Sequence, residues 1–168
     1  MIPILDKASY SPVQGMVTPL FGAYFANELI TSIDSATTCI YAIEYQWRWN
    51  IHQRHSRVQQ LGASIARACS RGVQVSVILN QESPKRPLTV INRVSANKLE
   101  SLGCKVKMRR GGVLLHTKMF MIDNRYSFVG SHNISTRSLT ANEEVTLKVD
   151  SVFVAEMMKQ YFNRLYLT

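Results

Sequence analysis

Acid is scarce in this chain of 168 residues: 11 Asp and Glu stand against 20 Lys and Arg, a formal net charge of +9. No carboxylate cluster of the kind that cages a divalent ion stands out. The three cysteines, Cys39, Cys69 and Cys104, are odd in number and show no CxxC spacing. That excludes a disulfide framework or a zinc site and leaves buried or free thiols in a reducing compartment. No uncharged apolar stretch approaches the roughly 20 residues that span a bilayer. The opening Met1-Ile2-Pro3-Ile4-Leu5-Asp6 carries no basic leader followed by an apolar segment. A cytoplasmic protein is the default expectation, although a form already trimmed of its leader would look the same. No repeat, low-complexity tract or linker divides the sequence. At 19.1 kDa it fits one domain over residues 1–168, large enough to bury a core without disulfides or metals.

What the chain does have is unevenly placed positive charge. From Trp47 to Gly72 there are five arginines and no acid, and from Lys85 to Arg110 eight basic residues face only Glu100. Residues 1–46 carry three net negative charges. Such clustering is the footprint expected for a polyanion partner, nucleic acid or anionic headgroup, and equally for a solvated basic surface.

Periodicity alternates helices with strands. Leu20–Ser35 has helical spacing, Thr38–Tyr45 reads as a strand, and Val58–Ser70 as a helix ending at Arg71-Gly72. Val73–Leu79 is the clearest strand, and Leu88–Leu102 is a helix stopped by Gly103. Strands follow at Lys105–Met108, Leu114–Ile122, Tyr126–Val129 and Glu144–Val149, and Val152–Leu165 closes the chain as a helix. Strand–helix–strand units early and hairpin strands late predict an α/β fold: a mixed sheet, parallel then antiparallel, flanked by helices on both faces.

One stretch points to a chemistry. His116-Thr117-Lys118, four residues, Asp123, six residues, then Gly130-Ser131-His132-Asn133 occurs once, with Asn142 and Glu144 soon after. On an extended strand His116 and Lys118 project from one side. A tight turn at Ile122-Asp123-Asn124-Arg125 can return Gly130–Asn133 towards them. A nucleophilic imidazole, a cation to hold an oxyanion and small hydrogen-bonding side chains are what attack on a phosphodiester requires. Asp123, at the far end of the strand, reads as structural. Trp47-Arg48-Trp49 with Arg54 and Arg57 could stack bases and neutralise phosphates; the alternative is that one tryptophan is buried and the other caps the sheet edge. His132 reads as a rim or core side chain, with a supplementary phosphate contact as the alternative.

The pattern HxKx4Dx6GSxN resembles the motif of the phospholipase D superfamily. Tyr10-Ser11-Pro12 and Arg71–Val75 further resemble its small single-motif bacterial endonuclease branch. The resemblance implies the phospholipase D-like fold and no cofactor. It implies that His116 attacks phosphorus to form a covalent phosphohistidine, with Lys118, Asn133 and Ser131, beside Gly130, holding the phosphate. Glu144 would hydrogen-bond the far nitrogen of His116. His52 and His55 lack the rest of the motif, so a homodimer is expected, in which His116 of the mate protonates the leaving oxygen. The leading expectation is a metal-independent, low-specificity endonuclease acting on DNA or RNA. The alternatives are a phospholipid hydrolase or phosphatidyl transferase using the same histidine, and a nucleic-acid-binding module without turnover.

Overall fold

The computed structural model describes residues 12–49, 52, 53 and 55–168. Arg54, Tyr10 and Ser11, which carried sequence expectations, lie outside them. The elements run β1 (Met16–Phe21), α1 (Tyr24–Ser35), β2 (Cys39–Glu44), α2 (Arg57–Ser70), β3 (Gln74–Gln81) and α3 (Pro87–Ser101). They continue with β4 (Lys105–Arg110), β5 (Lys118–Ile122), β6 (Tyr126–Gly130), α4 (Thr136–Thr140), β7 (Val145–Asp150) and α5 (Val152–Leu167).

All seven strands form one sheet in the order β1-β7-β6-β5-β2-β3-β4. β2, β3 and β4 are parallel, joined by the crossover helices α2 and α3. β5, β6, β7 and β1 pair antiparallel, with β5 against β2. The expected mixed α/β architecture is present, with helices on both faces.

The larger core joins α1, α2 and α3 to one sheet face, through Phe25, Leu29, Ile33, Leu61, Ile65, Leu99, Leu79 and Phe120. On the opposite face α5 buries Phe162 and Leu165 against Ile43, Ile78 and Met119. Strand alternation explains the division, since Ile78 and Leu79 point to opposite sides. α2 starts at Ser56, whose side chain accepts from the Gln59 N–H, and stops where Gly72 takes a φ of +85° that a side chain would resist.

Besides the unforeseen short helix α4, two elements depart from expectation. Leu20 and Phe21 end an edge strand, β1, and the helix begins only at Tyr24. Pro19 survives there because an edge strand has one side free of ladder bonds. Strand β5 starts at Lys118, leaving residues 114–117 as irregular chain.

The β5–β6 hairpin turns on Asp123 and Asn124, both left-handed (φ +53° and +52°), the conformation of a type I′ turn, which the Arg125 N–H closes on the Ile122 carbonyl. The Asp123 carboxylate reaches across to the loop before β2. It accepts from the backbone N–H groups of Thr37, Thr38 and Cys39 at 2.9, 2.8 and 3.1 Å, and from both threonine hydroxyls. These bonds outweigh burial and hold its carboxyl below the usual range. The turn is thereby anchored to the base of the sheet.

Candidate active site

β5 runs opposite to β2, so its first residue lies at the carboxyl end of the parallel strands. The end of β6 and the start of β7 lie there too. Crevices at this end are where open α/β sheets hold ligands. The fold therefore gathers Lys118, Gly130–Asn133 and Glu144 at one edge, and places Asp123 at the other.

His116 precedes β5, so strand alternation is not what aims it. Its ring packs on the Tyr45 ring at 4.6 Å between centroids. Lys118 Nζ, 9% exposed as a residue, donates to the His116 carbonyl at 2.9 Å and lies 3.1 and 3.2 Å from the two ring nitrogens. The same ammonium stands 5.1 Å from the Tyr45 ring centre. Desolvation holds it below the usual lysine range, with Glu44 and Glu144 opposing. An anion replacing lost water would therefore bind it strongly.

Gly130 lets the two chains meet: a Cβ there would stand 2.5 Å from Thr146 Cα and overlap the Val145 carbonyl oxygen. Asn133 is half-buried, and among the described residues its amide makes no hydrogen bond, the buried Oδ1 included. A buried amide left unpaired by the protein is suited to a ligand.

Glu144 is placed differently from expectation. One carboxylate oxygen accepts from Ser131 Oγ, and the other from Ser138 Oγ at 2.9 Å and Asn142 Nδ2 at 3.3 Å. Among the described residues it makes no bond to His116. β6 stands between β5 and β7 in the sheet, so within one chain Glu144 backs the Gly130–Asn133 loop. Burial raises its carboxyl, but the three side-chain donors outweigh that and hold it below the usual range.

The substrate rim also needs correction. Trp47 is fully buried against Phe120 and Trp49 is 9% exposed; the Trp49 ring fills the space above Gly62, where a methyl group would collide with it. Neither can stack a base. Alternation supplies the reason: with both tryptophans inward, Arg48 between them points out and is exposed. His132 is 1% exposed, stacked on Phe25 at 4.4 Å. Its Nε2 donates to the Gly22 carbonyl at 3.0 Å, leaving Nδ1 to accept from the Thr146 hydroxyl at 2.7 Å. Burial keeps it neutral by pulling it below the usual histidine range. It is a core residue and not a phosphate contact. Arg57 begins α2 and donates to Gln60 at 2.8 Å.

Two features escaped sequence reasoning. On α3 the fully buried Asn92 bridges the carbonyls of Tyr45 and Asn80 and accepts from the Trp47 N–H; the Ser95 hydroxyl accepts from the Trp49 N–H and donates to the Trp47 carbonyl. These polar positions fix the exit of β2 beneath the site, although their pattern resembled a solvated helix face. The second is Glu44, 1% exposed and paired across the ladder with Lys118. Neither of its oxygens has a hydrogen-bond partner among the described residues. A lone acid at the end of an apolar strand was its only signal.

Burial holds the Glu44 carboxyl well above the usual range, with Lys118 pulling the other way. Because its folded value lies above the unfolded one, its contribution to stability is complete below the ordinary carboxylate range. It is lost as pH rises through the folded value. Glu44→Gln should therefore flatten the decline in stability as pH rises above the ordinary carboxylate range, read from urea midpoints. Parallel curves for the two proteins would contradict this.

The sequence matches the family described as "Cardiolipin synthase, PLD-like domain" over residues 29–166. Cardiolipin synthase A of Cronobacter sakazakii is 35% identical over 105 residues, which cover 60% of this chain and 21% of that protein. That of Escherichia coli O157:H7 is 39% identical over 87 residues, 52% of this chain and 18% of the relative. The chain thus spans about a fifth of the curated relatives it matches. Among solved structures, the phospholipase D family member Nuc from Salmonella typhimurium superposes with a TM-score of 0.75 at 17% identity, covering 91% of this chain and 95% of that one. NucT from Helicobacter pylori gives 0.70 at 21% identity, covering 91% and 96%. With the match extending over most of its length, this chain belongs to the phospholipase D-like family of phosphodiesterase-type enzymes.

Proposed function

We propose that the protein is a phosphodiesterase that cleaves nucleic acid without a metal, through a covalent phosphohistidine at His116. The observation that carries this reading is the convergence of His116 and Lys118 beside an uncommitted Asn133 amide. A ring nitrogen of His116 attacks phosphorus; the N–P bond forms as the P–O bond to the leaving group breaks. Lys118, sharing the same edge, and Asn133 hold the non-bridging oxygens as charge develops. Water, giving its proton to the imidazole that protonated the leaving group, then attacks phosphorus; the N–P bond breaks and the His116 imidazole is regenerated. Glu144 acts by accepting a hydrogen bond from the Ser131 hydroxyl, which holds the Gly130–Asn133 loop in place beside the phosphate. Lys118 supplies the positive charge that a metal would otherwise provide.

The leaving oxygen needs a proton, and a single His116 that is bonded to phosphorus cannot give it. The mate's His116 in a homodimer fills that role. An apolar strip left exposed among the described residues supports such an assembly. Among the described residues α5 packs mainly on β2, β4, β5 and β6, and the outer strands β7 and β1 keep exposed apolar side chains. There Val17, Phe21, Val145 and Leu147, on the face away from α1, are 53, 65, 43 and 41% exposed. This strip begins beside Glu144 and Ser131, so a second copy seated on it would lie against the site. Leu147→Glu should convert dimer to monomer in sedimentation velocity and abolish most cleavage together. A monomeric wild type with full activity would contradict the dimer.

The same apolar strip also favours a second reading, a phospholipid hydrolase or phosphatidyl transferase, as does the similarity to cardiolipin synthases. Among the described residues no helix is long and apolar enough to cross a membrane. Purified protein in excess chelator, given plasmid, single-stranded DNA, RNA and phospholipid vesicles, separates the readings. Nicking of nucleic acid is expected. Turnover of lipid alone would overturn the first reading in favour of the second.

A further inference from the structure

Beside the site lies a polar cleft of about 530 Å³ whose walls include Gln46, Arg48, Gln53, Thr136, Arg137 and Asn142. Its walls are the chain leaving β2 and the chain leaving β6. They are zipped by the Trp47–Ile134 bridge, the Arg48 N–H donating to the Ile134 carbonyl at 2.7 Å and the Ile134 N–H to the Gln46 carbonyl at 3.0 Å. Each wall continues directly from a residue of the site: Gln46 follows Tyr45, whose ring packs on His116, and Ile134 follows Asn133. The cleft therefore opens within about one residue, ~3.8 Å along the chain, of the groups that surround the scissile phosphate.

Both arginines are exposed, and neither side chain has an ion-pair or hydrogen-bond partner among the described residues. Three of the neighbouring polar side chains, Gln53, Thr136 and Asn142, are already engaged. Gln53 Oε1 accepts from Thr136 Oγ1 at 2.7 Å, and Asn142 donates to Glu144. The Glu144 carboxylate is taken up by Ser131, Ser138 and Asn142. Among the described residues, two uncommitted guanidinium groups thus remain over a lining built from polar side chains. Fork-shaped donors of this kind match phosphate oxygens.

We infer that this cleft is a second phosphate site, holding the phosphate next to the scissile one in a polynucleotide strand. The inference rests on the nuclease reading and deepens it: the enzyme would recognise the repeating backbone charge and not base identity. Arg48 alone was visible as a candidate in the sequence; Arg137, on the short helix α4, joins it only through the fold.

The test compares, within each protein, kcat/KM on a dinucleotide with one internal phosphodiester against a single-stranded 12-mer. Wild-type protein should favour the 12-mer by about 10-fold or more per linkage, since each charge-assisted contact contributes roughly that. In an Arg48→Gln/Arg137→Gln double variant that advantage should fall towards unity. The slope of log kcat/KM against log salt should become shallower by about 0.7 for each phosphate contact removed. Thermal unfolding checks that these exposed substitutions leave the fold intact; if the double variant fails to fold, the same ratio is read in each single variant. A length preference and salt slope unchanged in the variants would overturn the second site while leaving the nuclease reading standing. Wild-type protein that cleaves no oligomer but turns over phospholipid would overturn both.

Discussion

His116→Ala is expected to reduce chelator-resistant cleavage of DNA by on the order of 10⁴-fold or more, the loss that follows removal of a nucleophile on which both steps depend. The ring sits outside both hydrophobic clusters, and among the described residues its polar contacts are to Lys118 alone. Thermal stability should accordingly change little. Binding of uncleaved oligonucleotide should also survive, because Lys118, Asn133 and the arginine-lined cleft remain. The combination matters: lost turnover, retained binding and retained fold would place the defect in the chemistry. A variant that kept a tenth of wild-type activity would show that another group attacks phosphorus.

Gly130→Ala should have the largest effect on the fold. A methyl group there would overlap Thr146 Oγ1 and the Val145 carbonyl oxygen, atoms of the strand with which Gly130 is paired. Backbone cannot step aside as a flexible side chain does, so β6 and β7 would have to part. Their separation would break the Ser131 N–H bond to the Val145 carbonyl, 2.9 Å, and release Ser131 from Glu144. Overpacking of this severity costs about 3 kcal/mol or more, a fall in melting temperature on the order of 10 °C for a chain of this size. Activity should fall with it, since Ser131 and Asn133 hang from the displaced strand. Wild-type stability in this variant would mean that the strands pair less closely than the structure has them.

Much of this arrangement was legible in the sequence. The crossover units, the glycine stops at Gly72 and Gly103, and the Asp123-Asn124 turn each carry a local signature that tertiary packing did not override. The same holds for the juxtaposition of His116 with Lys118, which survives although His116 lies outside β5. What escaped notice depended on neighbours distant in sequence. Met16–Phe21 became an edge strand because β7 offered it a partner, and its apolar residues merged, to the eye, with the helix that follows. Trp47 and Trp49 resembled a nucleic-acid platform by composition, yet their spacing of two beside a strand already separated them from Arg48. Asn92 and Ser95 looked like solvent-facing positions of α3; only the exit path of β2 turns them inward. Glu144 carried the right spacing for a partner of His116, but strand order sets β6 between them, and its bonds go to Ser131, Ser138 and Asn142.

The stereochemical course at phosphorus tests the covalent histidine most directly. An oligonucleotide bearing one phosphorothioate linkage of defined configuration is cleaved in ¹⁸O-enriched water with excess chelator, and the chirality of the product phosphorothioate is determined. Two in-line displacements, first by His116 and then by water, give net retention. Net inversion would mean that water attacks the diester in a single step, and the nucleophilic role of His116 would fall.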